Sequence, residues 1–226
     1  MTPPLAVDVD GTLTDGTGAI DPRVFGPLSN WDAPVIVATG KSLPYPVALC
    51  QFVGVPTRII AENGGVVAVA DTDEIHYLGD REAAQTVVDE YVAAGYDLGW
   101  DQTSFVNRWR ETEVAVSRDA PREPLEAIAA EHGLEVVDTG YALHVKSREM
   151  SKGAGLRVVA DQLGLDLTDV VAIGDSENDV SAFEVAGHSI AMANADDAAR
   201  DAAAVVTNAS YADGFLEAVE MVRDRE

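Results

Sequence analysis

The chain has one cysteine, three lysines and no long apolar run, and each scarcity excludes something. Cys50 has no intrachain disulfide partner. It lies in the apolar segment Val47-Ala48-Leu49-Cys50-Gln51-Phe52 and reads as a small core residue. No apolar stretch approaches the roughly 18 residues of a membrane span. The start, Met1-Thr2-Pro3-Pro4, lacks the basic segment of a secretion signal, so a cytoplasmic protein is expected. Internal repeats and low-complexity tracts are also missing. Hydrophobic residues make up 47% of 226 positions, which marks a globular chain. That length suits one large domain or two small ones, either able to bury a core.

Positive charge is the largest deficit. Thirty-nine acidic residues face 15 basic ones, a formal net charge of −24, and the excess is spread along the chain. Such a field repels nucleic acid and anionic membranes, so neither is expected as a partner. The lysines are Lys41, Lys146 and Lys152, against twelve arginines. An acidic, lysine-poor composition resembles that of proteins from salt-accumulating halophiles. Concentrated salt screens self-repulsion, with a Debye length near 3 Å at about 1 M. Most acids here therefore read as surface solvation, and an acid needs special placement to count as functional.

Asp8 and Asp10 have that placement. The run Leu5–Val9 reads as a strand, and Gly11 breaks it. Alternate strand residues share a face, so a strand ending here can aim both acids into one site. Two acids so close repel each other and suit a hard cation such as Mg2+, which takes oxygen ligands. A solvated turn is the other reading.

Strand-like and helix-like runs alternate, which predicts an α/β sheet. Strands are expected at Val35–Ala38, Arg58–Ala61, Val170–Ile173, Ser189–Met192 and Val205–Val206. Helices are expected over 43–53, Lys152–Leu163, Asn178–Val185, Ala195–Ala203 and Ala212–Arg223. Asn63-Gly64-Gly65 signals a turn, and Val66–Ala70 with Ile75–Leu78 predicts a hairpin. The middle of the chain differs. Helices over 81–94 and 121–132, with strands at 113–117, 134–137 and 142–146, suggest helix followed by paired strands, twice over. That predicts an α+β insert over residues 80–151, hinged near Gly79 and Arg148–Ser151, with residues 1–79 and 152–226 forming the core.

Three further sites sit at strand ends or helix starts, where open α/β sheets bind ligands. Thr39-Gly40 follows the second strand, and its hydroxyl and amide can bind a phosphoryl oxygen or simply turn the chain. Lys41 follows and reads as solvated, with an open role. Ser151 resembles an N-cap, so Lys152 opens a helix, where a cation is locally unfavourable; that hints at a facing phosphate. Gly174-Asp175-Ser176-Glu177-Asn178-Asp179 places acids four residues apart on one helical face. Asp175 can bind Mg2+, and Asp179 can bind it or orient its waters, unless the cluster only caps a helix. At the first site, Asp8 as a nucleophile would form an aspartyl-phosphate while Asp10 moves the protons. The Gly11 and Thr12 amides can face the phosphate.

In order the sites read DxDGT, hhhhTG, SKG and hhhhGDxxND, across nearly the whole chain. This resembles the haloacid dehalogenase superfamily of phosphatases and phosphotransferases. The resemblance implies a Rossmann-like doubly wound parallel sheet with a small inserted α+β cap of the C2 type. It implies Mg2+, Asp8 as nucleophile and Asp10 as general acid/base. It implies phosphate binding by Thr39, Gly40, Lys152 and Asn178, and a metal held by Asp8, the Asp10 carbonyl and Asp175, with Asp179 close by. Glu62-Asn63-Gly64-Gly65 and the other motifs look like the archaeal phosphoglycolate phosphatase subgroup, which implies hydrolysis of 2-phosphoglycolate. A sugar-phosphate or phosphoglycerate-type phosphatase is the nearest alternative. A receiver-like phospho-acceptor module is a remote one, because Asp10 and the insert have no place there. The substrate's carboxylate needs a cationic or amide-rich partner; Arg108, Arg110 and Lys146 in the insert are candidates, with solvated surface as the other reading of each. The expected partner is a small phosphorylated metabolite, and no apolar stripe demands more than a monomer or homodimer.

The charge makes its own prediction. Lowering salt from molar to about 0.1 M lengthens screening and destabilises the fold. The melting temperature is expected to fall across that range; a flat profile contradicts the halophile reading.

Overall fold

The structure is a computed structural model that describes residues 2–101 and 104–224. Most elements follow from apolar runs and their stop signals. β1 (Leu5–Asp8), β2 (Val35–Ala38) and β3 (Arg58–Ala61) are four-residue strands with almost no exposed position. Buried on both faces, they read as continuous apolar runs, as strands of parallel sheets do. Between β1 and β2 lie a short 3-10 turn (Pro22–Val24) and α1 (Phe25–Ser29), for which no helix was expected. Gly26 and Pro27 hide it from pattern reading, and burial of Val24 and Leu28 secures it. α2 (Pro44–Val53) stops at Gly54, whose left-handed backbone ends the helix. The predicted hairpin is β4 (Val66–Val69) with β5 (Glu74–Tyr77).

The chain then leaves this sheet. α3 (Arg81–Ala93), β6 (Val114–Val116), α4 (Arg122–Glu131), β7 (Leu134–Asp138) and β8 (Leu143–Ser147) form a second unit. Its antiparallel sheet has the order β6-β8-β7. The expected pattern of two strand pairs is corrected: one strand follows α3 and two follow α4. Val114, Val116, Leu143 and Val145 pack against α3 and α4. By alternation, Glu113, Ala115, His144 and Lys146 face the other way.

α5 (Lys152–Leu163), β9 (Val171–Gly174), α6 (Val180–Val185), β10 (His188–Ala191), α7 (Asp197–Ala202), β11 (Val205–Val206) and α8 (Tyr211–Arg223) complete the fold. The main sheet has the order β11-β10-β9-β1-β2-β3-β4-β5. All pairings from β11 to β3 are parallel, and β4 and β5 add an antiparallel edge. Chain order reverses at β1, with β2 on one side and β9 on the other. The crevice between the C-terminal ends of β1 and β9 is therefore the topological switch point. Leu5 and Val7 pack in one layer with Phe215 and Val219 of α8, while Ala6 packs in the other with Leu156 and Val159 of α5. Gly153 lets α5 close on α6, because a Cβ there would lie 2.1 Å from the Ser181 carbonyl oxygen.

The two connections between the units run side by side. A Cβ on Gly79 would strike Met150 Sδ at 2.2 Å, and the Asp80 amide donates to Ser147 Oγ at 3.1 Å. The two chain crossings between the units thus lie together.

Candidate active site

β1 delivers Asp8 to the crevice. Strand alternation puts it on the same side as Ala6, toward α5. Ser151 caps α5, its Oγ accepting the Ala154 amide at 3.0 Å, so Lys152 is the first helical residue. The Lys152 ammonium donates to Asp8 Oδ1 and to Asp179 Oδ1, each at 2.6 Å. Lys152 is 0% exposed and Asp8 4%. Two facing carboxylates outweigh the unfavourable helix start. Burial alone would discharge the lysine, but Asp179 and Asp8 hold its pKa above the ordinary value.

The acids remain in excess. Asp8, Asp175 and Asp179 each bring a carboxylate oxygen within 4.8 Å of the others. Asp179 is committed to protein donors: Oδ2 accepts the amides of Asp175 and Ser176 at 3.0 and 3.1 Å, closing the loop after β9. Asp179 thus caps this turn and also joins the cluster, so both readings of the acidic motif hold. Asp175 accepts from Asn194 Nδ2 at 3.1 Å and lies where a Cβ on Gly11 would be, 2.0 Å from its Oδ2. With φ of +87°, position 11 admits only glycine without strain. Burial pushes the Asp8 carboxyl up; Lys152 pulls it down and Asp179 pushes it up again, to about 7. Burial, then Asp8 and Asp179, push Asp175 up to about 9. Asp8 Oδ2 is buried and accepts no hydrogen bond. One ammonium among three carboxylates, plus an orphaned carboxylate oxygen, fits a hard divalent cation.

Asp10 stands apart from this cluster. It lies past the end of β1, and its side chain is 49% exposed. The Lys41 ammonium reaches both its oxygens, at 2.5 and 2.6 Å. The pair thus faces one cavity from two depths. The expectation for Gly11 and Thr12 needs correction. The Gly11 amide donates to Thr14 Oγ1 at 2.9 Å and the Thr12 amide reaches the Val9 carbonyl at 3.4 Å, so the turn uses both. Thr39 is buried at the end of β2, its Oγ1 accepting the Lys41 amide at 3.1 Å. Gly40 offers its carbonyl to Arg110 Nη1 at 3.0 Å. Asn178 accepts from Ser176 Oγ at 3.0 Å and donates to Asn63 Oδ1 at 3.2 Å.

A cavity of about 660 Å³ joins these residues to the second unit. Asp8, Asp10, Gly40, Lys41, Asp175 and Asn178 line it from below. Arg110, His144, Tyr141 and Phe105 line it from above. Glu113 and His144 join the site without a signal in the sequence. Glu113 is fully buried and binds Arg110 Nη1, His144 Nδ1 at 2.8 Å and Asn63 Nδ2 at 3.1 Å. Burial pushes Glu113 up, but His144 and Arg110 outweigh it and hold the carboxyl at about 2. Glu62 is also buried and accepts the amides of Glu111 and Thr112, both at 2.9 Å, and the Thr112 hydroxyl at 2.7 Å. These links tie the two units together. Glu62-Asn63-Gly64-Gly65 stood out in the sequence as a turn and a family motif, but with no sign of these contacts; Asn63 does take a left-handed conformation, with φ of +54°.

Comparison with known proteins fits this geometry. A model of the haloacid dehalogenase-like hydrolases matches residues 123–219. A protein of Natronomonas pharaonis named phosphoglycolate phosphatase is 58% identical over 224 residues, 99% of each chain. This chain belongs to the haloacid dehalogenase-like hydrolase family. Another phosphoglycolate phosphatase, from Haloarcula marismortui, is 53% identical over 99% of this chain and 98% of its own. A solved structure of a Thermoplasma acidophilum protein superposes with a TM-score of 0.86 over 99% of each chain, at 24% identity, and so shares the hydrolase fold. No described helix of this hydrolase is long and apolar enough to cross a membrane.

The raised acids give a signed expectation. Asp8 and Asp175 hold protons more tightly when folded than an ordinary aspartate, with its pKa of 3.8, does in the unfolded chain. The metal-free fold therefore loses stability as pH rises from about 4 through 7 and 9. A divalent cation must displace those protons, so its affinity rises over the same window. Mg2+ titration calorimetry in two buffers of different protonation heat is expected to show proton release at pH 6. Equal heats in both buffers contradict raised pKa values at this cluster.

Proposed function

We propose that this hydrolase removes phosphate from 2-phosphoglycolate, giving glycolate and phosphate, with Asp8 as nucleophile and Mg2+ as cofactor. The observation that carries the mechanism is the buried Lys152 bridge, which fixes Asp8 at the switch point under a cavity. The substrate rests on the full-length relatives that bear this name at 53% and 58% identity. Asp8, Asp175 and the Asp10 carbonyl would hold the metal, with Asp179 beside it; when bound, the metal would neutralise phosphate charge.

The chain's own residues then divide the work. Lys152 locks the Asp8 carboxyl in place and favours its ionised form against the effect of burial. The carboxylate attacks phosphorus; an Asp8 oxygen–phosphorus bond forms as the bond to the leaving oxygen breaks. Asp10, more exposed at the cavity wall, gives that oxygen its proton. Asp10 then takes a proton from a water, which attacks phosphorus and frees Asp8 and inorganic phosphate. Thr39, Gly40 and Asn178 surround the phosphate. Splitting the reaction in two suits a bond whose enzymes reach accelerations of up to about 10²¹.

Residues 80–151 act as a cap over a core made of 1–79 and 152–226. The cap's polar sheet face closes the cavity and meets the organic half of the substrate. The setting is cytoplasmic, and the oligomer is a monomer or homodimer.

A phosphate-release panel in molar salt tests the reading, with 2-phosphoglycolate, 3-phosphoglycerate and several sugar phosphates. A preference for 2-phosphoglycolate that requires Mg2+ is expected; a preferred sugar phosphate overturns the substrate and keeps the mechanism. Asp8→Asn is expected to abolish turnover while the far-UV spectrum persists. Asp10→Asn is expected to slow the first step by about 10²- to 10⁴-fold, most for poor leaving groups. Substantial Mg2+-dependent turnover by Asp8→Asn contradicts the covalent route.

A further inference from the structure

A two-carbon substrate with a phosphate at Asp8 must place its carboxylate a few ångströms away, in a cavity whose floor is acidic. A cation that reaches the cavity would pair with it directly. The cations of the insert are spent elsewhere. Arg110 is 5% exposed at its side chain, and its guanidinium is held by Glu113, the Gly40 carbonyl and the Val106 carbonyl at 3.1 Å. His144 shares Glu113. Lys146 is buried and binds Glu135 Oε1 and the Met150 carbonyl, each at 2.6 Å. Arg108 lines a separate cavity of about 410 Å³.

Lys41 is different. It lines the main cavity, and its side chain is 42% exposed. Its backbone is pinned on both sides: its amide donates to Thr39 Oγ1 at 3.1 Å and its carbonyl accepts the Glu62 amide at 3.0 Å. Arg110 ties the preceding carbonyl to the cap. A fixed loop therefore carries a flexible four-carbon stem with a cationic tip. The tip sits on Asp10, the residue that must reach the leaving oxygen, so it is already beside the organic half of the substrate. Its bond to Asp10 joins two exposed groups, and such pairs are weak and exchangeable. The buried pairs of Lys152 and Arg110 are not, because breaking them strands a charge away from water.

We propose that Lys41 is the specificity-determining residue that binds the substrate's carboxylate, leaving Asp10 to do so. The assignment rests on the phosphatase reading above. It selects short phosphate monoesters whose leaving group carries an anion, and it frees Asp10 from its ion pair as substrate enters.

Three substrates of matched length test this: 2-phosphoglycolate, the neutral 2-hydroxyethyl phosphate and the cationic phosphoethanolamine. Each is assayed with the full-length native enzyme, Lys41→Met, Lys41→Glu and Lys41→Arg in molar salt with Mg2+. The reading is the ratio of kcat/KM for 2-phosphoglycolate to that for the neutral ester. Lys41→Met is expected to lower this ratio by about 10- to 100-fold, the worth of a charge-assisted hydrogen bond. Lys41→Arg is expected to restore most of it, and Lys41→Glu to shift preference toward phosphoethanolamine. A residue that acted only by shaping Asp10 would lower all three substrates by one common factor. Equal losses, or a ratio within about threefold of native, overturn the proposal. If the native enzyme hydrolyses other monoesters but ignores 2-phosphoglycolate, the substrate reading falls first and Lys41 with it. If it prefers 2-phosphoglycolate and Lys41→Met keeps that preference, only the role of Lys41 falls.

Discussion

The ammonium of Lys152 lies out of reach of water between Asp8 and Asp179, 2.6 Å from each. Those partners are 144 and 27 residues away in the chain, so one cation pins three segments of the fold together. The end of β1, the start of α5 and the loop after β9 all meet on it. A buried carboxylate without such a partner would take up a proton or force the loop outward. Removing one member of a buried charge set typically costs about 3–5 kcal/mol, since the others stay stranded. The proposed nucleophile is thus fixed by the same contact that holds the switch point closed.

The second unit is joined by the same kind of physics. Glu62 and Asn63, on a 3-10 turn after β3, carry buried polar groups that find their partners on the chain segment from Arg110 to Glu113. Glu62 takes backbone amides there, and Asn63 takes Glu113 while accepting from Asn178 of the acidic loop. The roof of the cavity and the loop that carries Asp175 are therefore coupled through one asparagine. Polar groups buried at this density persist only when their partners are satisfied, which argues for a second unit held in a defined position.

Much of this was legible beforehand, for reasons that differ by residue. β2 and α5 begin and end where the apolar runs and the Ser151 cap put them, because strand and helix periods repeat locally. Asp8, Thr39, Lys152 and Asp175 were found at strand ends and helix starts, which the same periods locate. α1 was missed because Gly26 and Pro27 break its pattern and burial alone secures it. Arg110 and Lys146 are candidate carboxylate binders in the sequence, yet both are consumed by neighbouring groups of the protein. Glu113 and His144 carried no signal, since one acid among thirty-nine looks like any other.

The sequence by itself determined the order of the elements, the strand-end position of each motif and the family to which they belong. These are properties of neighbours along the chain, set by periods of two and 3.6 residues and by glycine and serine stops. The tertiary structure decided which charges meet. It buried Asp8 and left Asp10 open, gave Lys152 to the acids and Lys41 to Asp10, and spent Arg110 on Glu113. Those pairings depend on sheet order and on how closely helices pack, and no local spacing encodes either.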